Sequence, residues 1–198
     1  IKNYTMKFNY ITVFVASMLL SIYSCGPSKN IPQNEVIQTI PCEGKQYETT
    51  KDHFRASSQG VSPYQQMAKD IAIQNAKQTL AGLINSRMDI VIDNYAKQSN
   101  LNAGVEVMNR YESLGRTVVS QSIPGIVIIC GVSTKDKDRE SISYNQYKYY
   151  VSVEIASNDI MESVNNALSN DEVLKVDYNY EKFKQTFEEE MNKMKSGN

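Results

Sequence analysis

Apolar positions recur along the chain with different periods, and each period predicts a different element. Ile11 to Tyr23 is an uncharged run of 13 residues that follows Met6-Lys7-Phe8-Asn9-Tyr10. A membrane span needs ~20 apolar residues, so this run predicts the apolar region of a signal peptide, with Met6 as its start. Residues 50–57 read as a short strand and Ser58-Gln59-Gly60 as a turn. Ser62, Pro63 and Gln65 then have the spacing of a capping box, with Ser62 at the N-cap and proline at the first helical position. Beyond them Tyr64, Met67, Ala68, Ile71, Ala72, Ala76, Leu80, Leu83, Ile84, Met88, Val91 and Tyr95 recur in steps of three and four. That stripe predicts one amphipathic helix to about Gln98, over ~50 Å long, with Gly82 as a bend point. Ala68, Ala72 and Ala76 give it a small-residue face suited to close approach on a sheet. So long a helix in a small domain predicts that one end projects or packs on a partner.

Val105, Met108, Tyr111, Leu114, Val118 and Val119 mark a second helix, weakened by Gly115 and ended by Pro124-Gly125. Ile126 to Val132 is almost wholly apolar and predicts a strand with Ile126, Ile128, Cys130 and Val132 on one face. Residues 142–156 alternate: Tyr147, Tyr149, Val151, Val153 and Ile155 on one side, Lys148, Tyr150, Ser152 and Glu154 on the other. Lys135 to Glu140 reads as a solvated hairpin tip. A short helix over 158–169 carries Ile160, Met161, Val164 and Leu168. The last helix, within a segment starting at about 178, carries Tyr180, Phe183, Phe187, Met191 and Met194, with Glu188-Glu189-Glu190 on a solvated flank and Lys193 and Lys195 near its end. Segregated helices and antiparallel strands predict an α+β fold: a small antiparallel sheet packed against a long α-helix, with additional helices including an amphipathic C-terminal one.

The residues ending the first apolar run are more specific. Ile22-Tyr23-Ser24-Cys25 resembles a lipobox, with an aliphatic residue at −3 and a small one at −1. In bacterial lipoproteins the signal peptidase cuts before such a cysteine, whose thiol carries the diacylglycerol. The expected division is therefore a signal peptide over 1–24, a lipidated tether over 25–50 and a single α+β domain over 51–198. Pro27, Pro32 and Pro41 interrupt the tether, and its one apolar stretch, Val36 to Ile40, could add an edge strand. Cysteine acylation with three chains exceeds the two lipid signals that stable anchoring takes. Gly26 rather than Asp after the cysteine is similar to lipoproteins sorted to the outer membrane. Positions 26–30 hold no acid, which favours the periplasmic face over surface export.

Composition narrows the chemistry. The 198 residues carry 21 basic and 22 acidic side chains; cleavage before Cys25 leaves 174 residues with a formal charge of −3. A mildly acidic chain has no electrostatic case for binding nucleic acid. His53 is the single histidine, so any Ser-His-Asp or Cys-His centre would have to use it; beside Asp52 in an edge strand, it reads as a surface residue. Asp136-Lys137-Asp138 lacks the glycine and later glutamate of a calcium loop. No cofactor or metal site is expected. Cys42 and Cys130 are left open between a disulfide, which an oxidising periplasm permits, and two separate thiols, Cys130 buried in a strand and Cys42 in a loop. The chain has 13 tyrosines and no tryptophan. Most of the Tyr144, Tyr147, Tyr149 and Tyr150 group suits sheet packing, while Tyr150, with Tyr144, is the best candidate for contact with a ligand or partner.

Phe54-Arg55-Ala56-Ser57-Ser58-Gln59-Gly60, the alanine-rich helix after it, Ile123-Pro124-Gly125-Ile126-Val127-Ile128 and Tyr147 to Ile155 follow one another with a charged turn before the last. In this order they resemble the twenty-kilodalton Lpp-20-like family of bacterial outer-membrane lipoproteins, over about residues 50–156. The resemblance implies a small α+β lipoprotein of a diderm bacterium, with Cys25 as its anchor and no catalytic residues to carry over. The expected function is a membrane-anchored, non-enzymatic interaction or scaffold module, with an envelope protein or a second copy as partner. The alternative is a small-ligand or glycan binder that uses the tyrosine-bearing sheet face. A hydrolase built on His53 is the weakest reading.

Overall fold

Strands β1 (His53–Ser62), β2 (Val127–Lys135) and β3 (Tyr147–Ala156) form an antiparallel sheet in the order β1-β3-β2. The structure is a computed structural model that describes residues 38–99, 104–136 and 146–194. Its helices are α1 (Gln65–Gln98), α2 (Val105–Ser122), α3 (Ser157–Asn170) and α4 (Tyr180–Lys193). The sheet lies against α1, and the other helices pack around the far half of α1 or on one another. This is the α+β arrangement that the periodicity predicts.

The alternation of β3 sets the two faces of the sheet. Val151, Val153 and Ile155 are buried in one core with Phe54 and Ala56 of β1 and with α1. Ser152 and Glu154 share the opposite face with Ser57 and Arg55, their partners across the β1–β3 ladder. Ser58-Gln59-Gly60 is not a turn: β1 runs through all three to Ser62. The glycine serves a packing need instead. A Cβ on Gly60 would lie 2.1 Å from the Ala68 carbonyl oxygen and 2.6 Å from the Ala72 nitrogen, so the helix backbone rests directly on the strand. The expected helix start also moves. Ser62 is the last residue of β1 and its Oγ accepts from the Tyr64 N–H at 3.2 Å, while Tyr64 takes the N-cap position of α1.

Along α1 the buried ridge changes size where its neighbours change. Ala68, Ala72 and Ala76 are fully buried at the sheet end, and Leu80, Ile84, Met88, Val91, Ile92 and Tyr95 follow. Small side chains permit contact with a flat sheet; larger ones fill the wider space between helices, each contributing about 1.5–3 kcal/mol. The N-terminal shoulder of the expected stripe stays in solvent, with Tyr64 70% and Met67 52% exposed. The C-terminal end neither projects nor waits for another chain: α2 and α4 cover it, and Tyr95 and Ala96 are buried. Gly115, which weakens α2 by propensity, is buried against Ile92, whose Cδ1 would stand 3.2 Å from an added Cβ.

Strand β2 departs most from expectation. A register shift between Ile128 and Cys130 sets Ile128 opposite Val153 and Cys130 opposite Ser152, so these two residues point to opposite faces. The bulge breaks the single apolar face that strict alternation predicted. The strand is an edge that α1 barely covers, and Val127, Ile128 and Val132 are exposed.

Candidate functional site

The tyrosines divide between two places. Tyr95, Tyr111, Tyr178 and Phe183 form an aromatic cluster between α1, α2 and the start of α4, with Tyr95 at 6.3 Å from Tyr111 and 5.6 Å from Phe183, both edge to face. The Tyr95 hydroxyl accepts from the Asn179 N–H at 2.7 Å, and Tyr178 donates to Asn165 Oδ1 at 2.9 Å. Burial pushes the Tyr111 hydroxyl up to about 12 and raises that of Tyr178 as well. Three of the 13 tyrosines therefore belong to this helical layer and not to the sheet: Tyr95 and Tyr111 on the α1 and α2 stripes, and Tyr178 just before α4.

The other tyrosines lie on the sheet. Tyr150 shares the outer face with Gln59 and Val132 and is half-buried, not the freely exposed residue expected. Tyr144, its expected companion, lies outside the described residues, as do Asp138 and most of the charged tip. Tyr147 and Tyr149 are half-buried, each with a lysine over its ring: Lys135 at 5.4 Å and Lys69 at 5.9 Å.

What covers the outer face is the chain that enters the domain. Residues 39–50, read from sequence as the end of a tether, pack here as part of the compact unit that begins at Thr39. Cys42 is bonded to Cys130 with their Cα atoms 5.5 Å apart. Of the pair, Cys42 is the buried one, 5% exposed, and Cys130 is half-buried in the edge strand. Ser57 Oγ donates to the Cys42 carbonyl at 2.7 Å. Farther along, Thr49 Oγ1 accepts from the Arg55 N–H at 2.9 Å and donates to its carbonyl at 3.0 Å, serving backbone groups of an edge strand. Arg55 Nε meets Glu154 Oε2 at 2.8 Å, and its Nη1 donates to the Glu48 carbonyl at 3.2 Å. Residues 38–40 are exposed and form no strand, so the described part of the expected Val36–Ile40 strand is not one.

His53 opens β1, half-buried, with its N–H bonded to Thr50 Oγ1 and its carbonyl accepting from the Thr50 N–H. β1 is an edge strand, as expected for this residue. Among the described residues no three His, Cys, Asp or Glu side chains converge as a metal would require, and no helix is long and apolar enough to cross a membrane. A groove of about 650 Å³ between α2 and α3 opens broadly to solvent, with Ser122, Asp159 and Asn166 on its walls.

Two charged groupings escaped the sequence reading. Glu190 is buried, 4% exposed, rather than on a solvated flank. It accepts from Asn94 Nδ2 at 2.8 Å, pairs with Lys193 and lies 3.9 Å from Arg87. Arg87 and Asn94 are seven apart on α1, which places them on one helix face, and that spacing was the available signal. Arg110 of α2 donates through Nε to both Asp171 oxygens, at 2.9 and 3.0 Å. Asp171 Oδ1 also accepts from the Val173 and Leu174 N–H groups. The Arg110 guanidinium and the Leu174 N–H hold the Asp171 carboxyl below its ordinary value, and the same pairing raises Arg110. Both groupings tie helices together and do not face an enclosed pocket among the described residues. No family model, curated protein or solved structure matches the chain.

Proposed function

We propose that this chain is a lipid-anchored lipoprotein of the bacterial cell envelope that works as a non-enzymatic interaction module. The observation that carries the reading is Ile22-Tyr23-Ser24-Cys25 at the end of a 13-residue uncharged run behind Lys7. The Cys42–Cys130 bridge supports it, because a structural disulfide suits an exported protein in an oxidising compartment. Cys25 is the lipid carrier, the outer membrane its destination and the periplasmic leaflet its side, in keeping with the resemblance to the twenty-kilodalton lipoproteins. Exposed Val61 at the end of β1, with Tyr64, Met67 and Ile71 at the start of α1, supplies apolar surface for an envelope protein or a second copy.

The test is expression in a diderm bacterium, followed by fractionation and intact-mass analysis. The mature chain is expected in the membrane fraction with Cys25 at its N-terminus and acylated. Cys25→Ser is expected to abolish acylation and release the protein from membranes. An exported chain with unmodified Cys25 would overturn the anchor. A wild-type protein that cross-links to nothing in the envelope would overturn the interaction role.

A further inference from the structure

The cover over the outer sheet face is held at its two ends by different means. At the far end, Thr49 and Glu48 are bonded to Arg55, which is itself fixed in β1 and paired with Glu154. At the near end the hold is the Cys42–Cys130 bond and one hydrogen bond from Ser57. Between them Glu43 to Gln46 are exposed, and Tyr47 N–H bonds only within its own turn, to Gly44. Cys42 has a φ of 59°, in the left-handed region that non-glycine residues rarely occupy, and Gly44 follows at 110°. Such a backbone persists where its surroundings impose it. Beneath this stretch Ser152 is fully buried, and its Oγ has no partner among the described residues. The cover therefore takes the Ser152 hydroxyl out of water with no hydrogen-bond partner among the described residues, which disfavours the covered state.

We propose that residues 39–48 are a strap latched by the Cys42–Cys130 disulfide, and that a dithiol reductant releases it while the core stays folded. The reductant's thiolate attacks Cys130 Sγ, the half-buried sulfur on the edge strand. The S–S bond breaks and its electron pair leaves with Cys42 Sγ, which takes up a proton. The reductant's second thiol, as thiolate, then displaces Cys130 Sγ, giving two protein thiols and an oxidised dithiol. Release lets Cys42 leave the left-handed region and opens Ser57, Ser152 and Tyr150 to water. It also moves the first held residue of the domain from Cys42 to Glu48, six positions farther along the chain from Cys25. The core does not depend on the strap, because Val151, Val153 and Phe54 are buried on the other face, against α1.

The test uses the full chain carrying Cys25→Ser, so that two cysteines remain and the lipid reading is not engaged. Tyrosines report the outcome through covalent nitration read by peptide mass, in the oxidised protein and after reduction and alkylation. Tyr47 and Tyr150 are expected to react severalfold faster once the bond is cut. Tyr95 and Tyr111, 1% and 2% exposed, are expected to stay protected. The variant with Cys42→Ser and Cys130→Ser added is expected to match the reduced protein without alkylation. Equal reactivity of Tyr47 and Tyr150 in both states overturns the latch. So does labelling of Tyr95 and Tyr111 after reduction, since the bond would then hold the whole fold. Alkylation of Cys42 and Cys130 before any reductant is added overturns it as well.

Discussion

Gly60 shows how a residue's neighbours in sequence and in space can point to different roles. Ser-Gln-Gly before a helix start has the composition of a turn, and local reasoning assigns one. The structure uses the missing side chain for contact instead, with the Ala68 carbonyl and Ala72 nitrogen where a Cβ would go. Ala68, Ala72 and Ala76 carried the matching half of this signal, and their role against a sheet was legible. What no local rule supplies is which strand residue meets them. Gly60→Ala is expected to destabilise the domain by at least about 1–3 kcal/mol, because the clash is with backbone that cannot rotate away. Chemical denaturation of the two proteins checks this. An unchanged midpoint would mean that α1 and β1 are less closely apposed. Tyr150 makes the same point for the candidate site: alternation put it on the correct face, but Cys42, whose Sγ lies 3.6 Å from its carbonyl, comes from 108 positions away.

At the scale of elements, periodicity located the four described α-helices, because each has an apolar stripe that must be buried. It erred where an element's surroundings are not periodic. The bulge after Ile128 turns Cys130 to the outer face and toward Cys42, so the disulfide depends on a break in alternation that the apolar run conceals. The α4 stripe was legible, whereas Glu190 was not, because its partners Asn94, Arg87 and Lys193 converge only after α4 docks on α1. The link from α3 to α4 is held similarly, through Arg110 and Asp171. Asp171 has its carboxyl lowered by the Arg110 bond and by the Leu174 N–H. A lowered folded-state value makes the ionised form the stabilising one. The contribution is complete above the ordinary aspartate value near 4 and is lost as pH falls through the lowered one. Asp171→Asn is expected to be less stable than wild type at neutral pH, with the gap closing as both are taken down to about pH 2. Thermal melts across that range check it; a gap that stays constant would show that the charge contributes nothing.

The described domain is organised around one helix with two environments: a sheet along its first half and a helical layer along its second. That division explains why the C-terminal end of a 34-residue helix is covered within a small domain. It also accounts for three of the tyrosines. The helical layer closes over Tyr95, Tyr111, Tyr178 and Phe183, whose rings fill space while at least two hydroxyls find partners. Sequence spacing placed Tyr95 and Tyr111 on apolar stripes but could not bring the stripes together. Burial in that layer raises the Tyr111 hydroxyl to about 12, and Tyr178 is raised by the same cause. Here the sign is opposite to that of Asp171. Above pH ~10 an unfolded tyrosine gives up its proton while the folded one keeps it, so the unfolded state binds fewer protons and stability falls with rising pH. The contribution is fully present below about pH 10 and is lost on the way to the raised value. Tyr111→Phe keeps the ring in place and removes one of the two raised hydroxyls. Its denaturation midpoint is expected to fall less steeply than wild type between about pH 10 and 12, while the two proteins run parallel from about pH 7 to 9. Comparing slopes cancels the alkaline loss common to both proteins. Identical slopes above pH ~10 would mean that Tyr111 ionises as readily in the folded core as in water, and that the helical layer admits solvent to it.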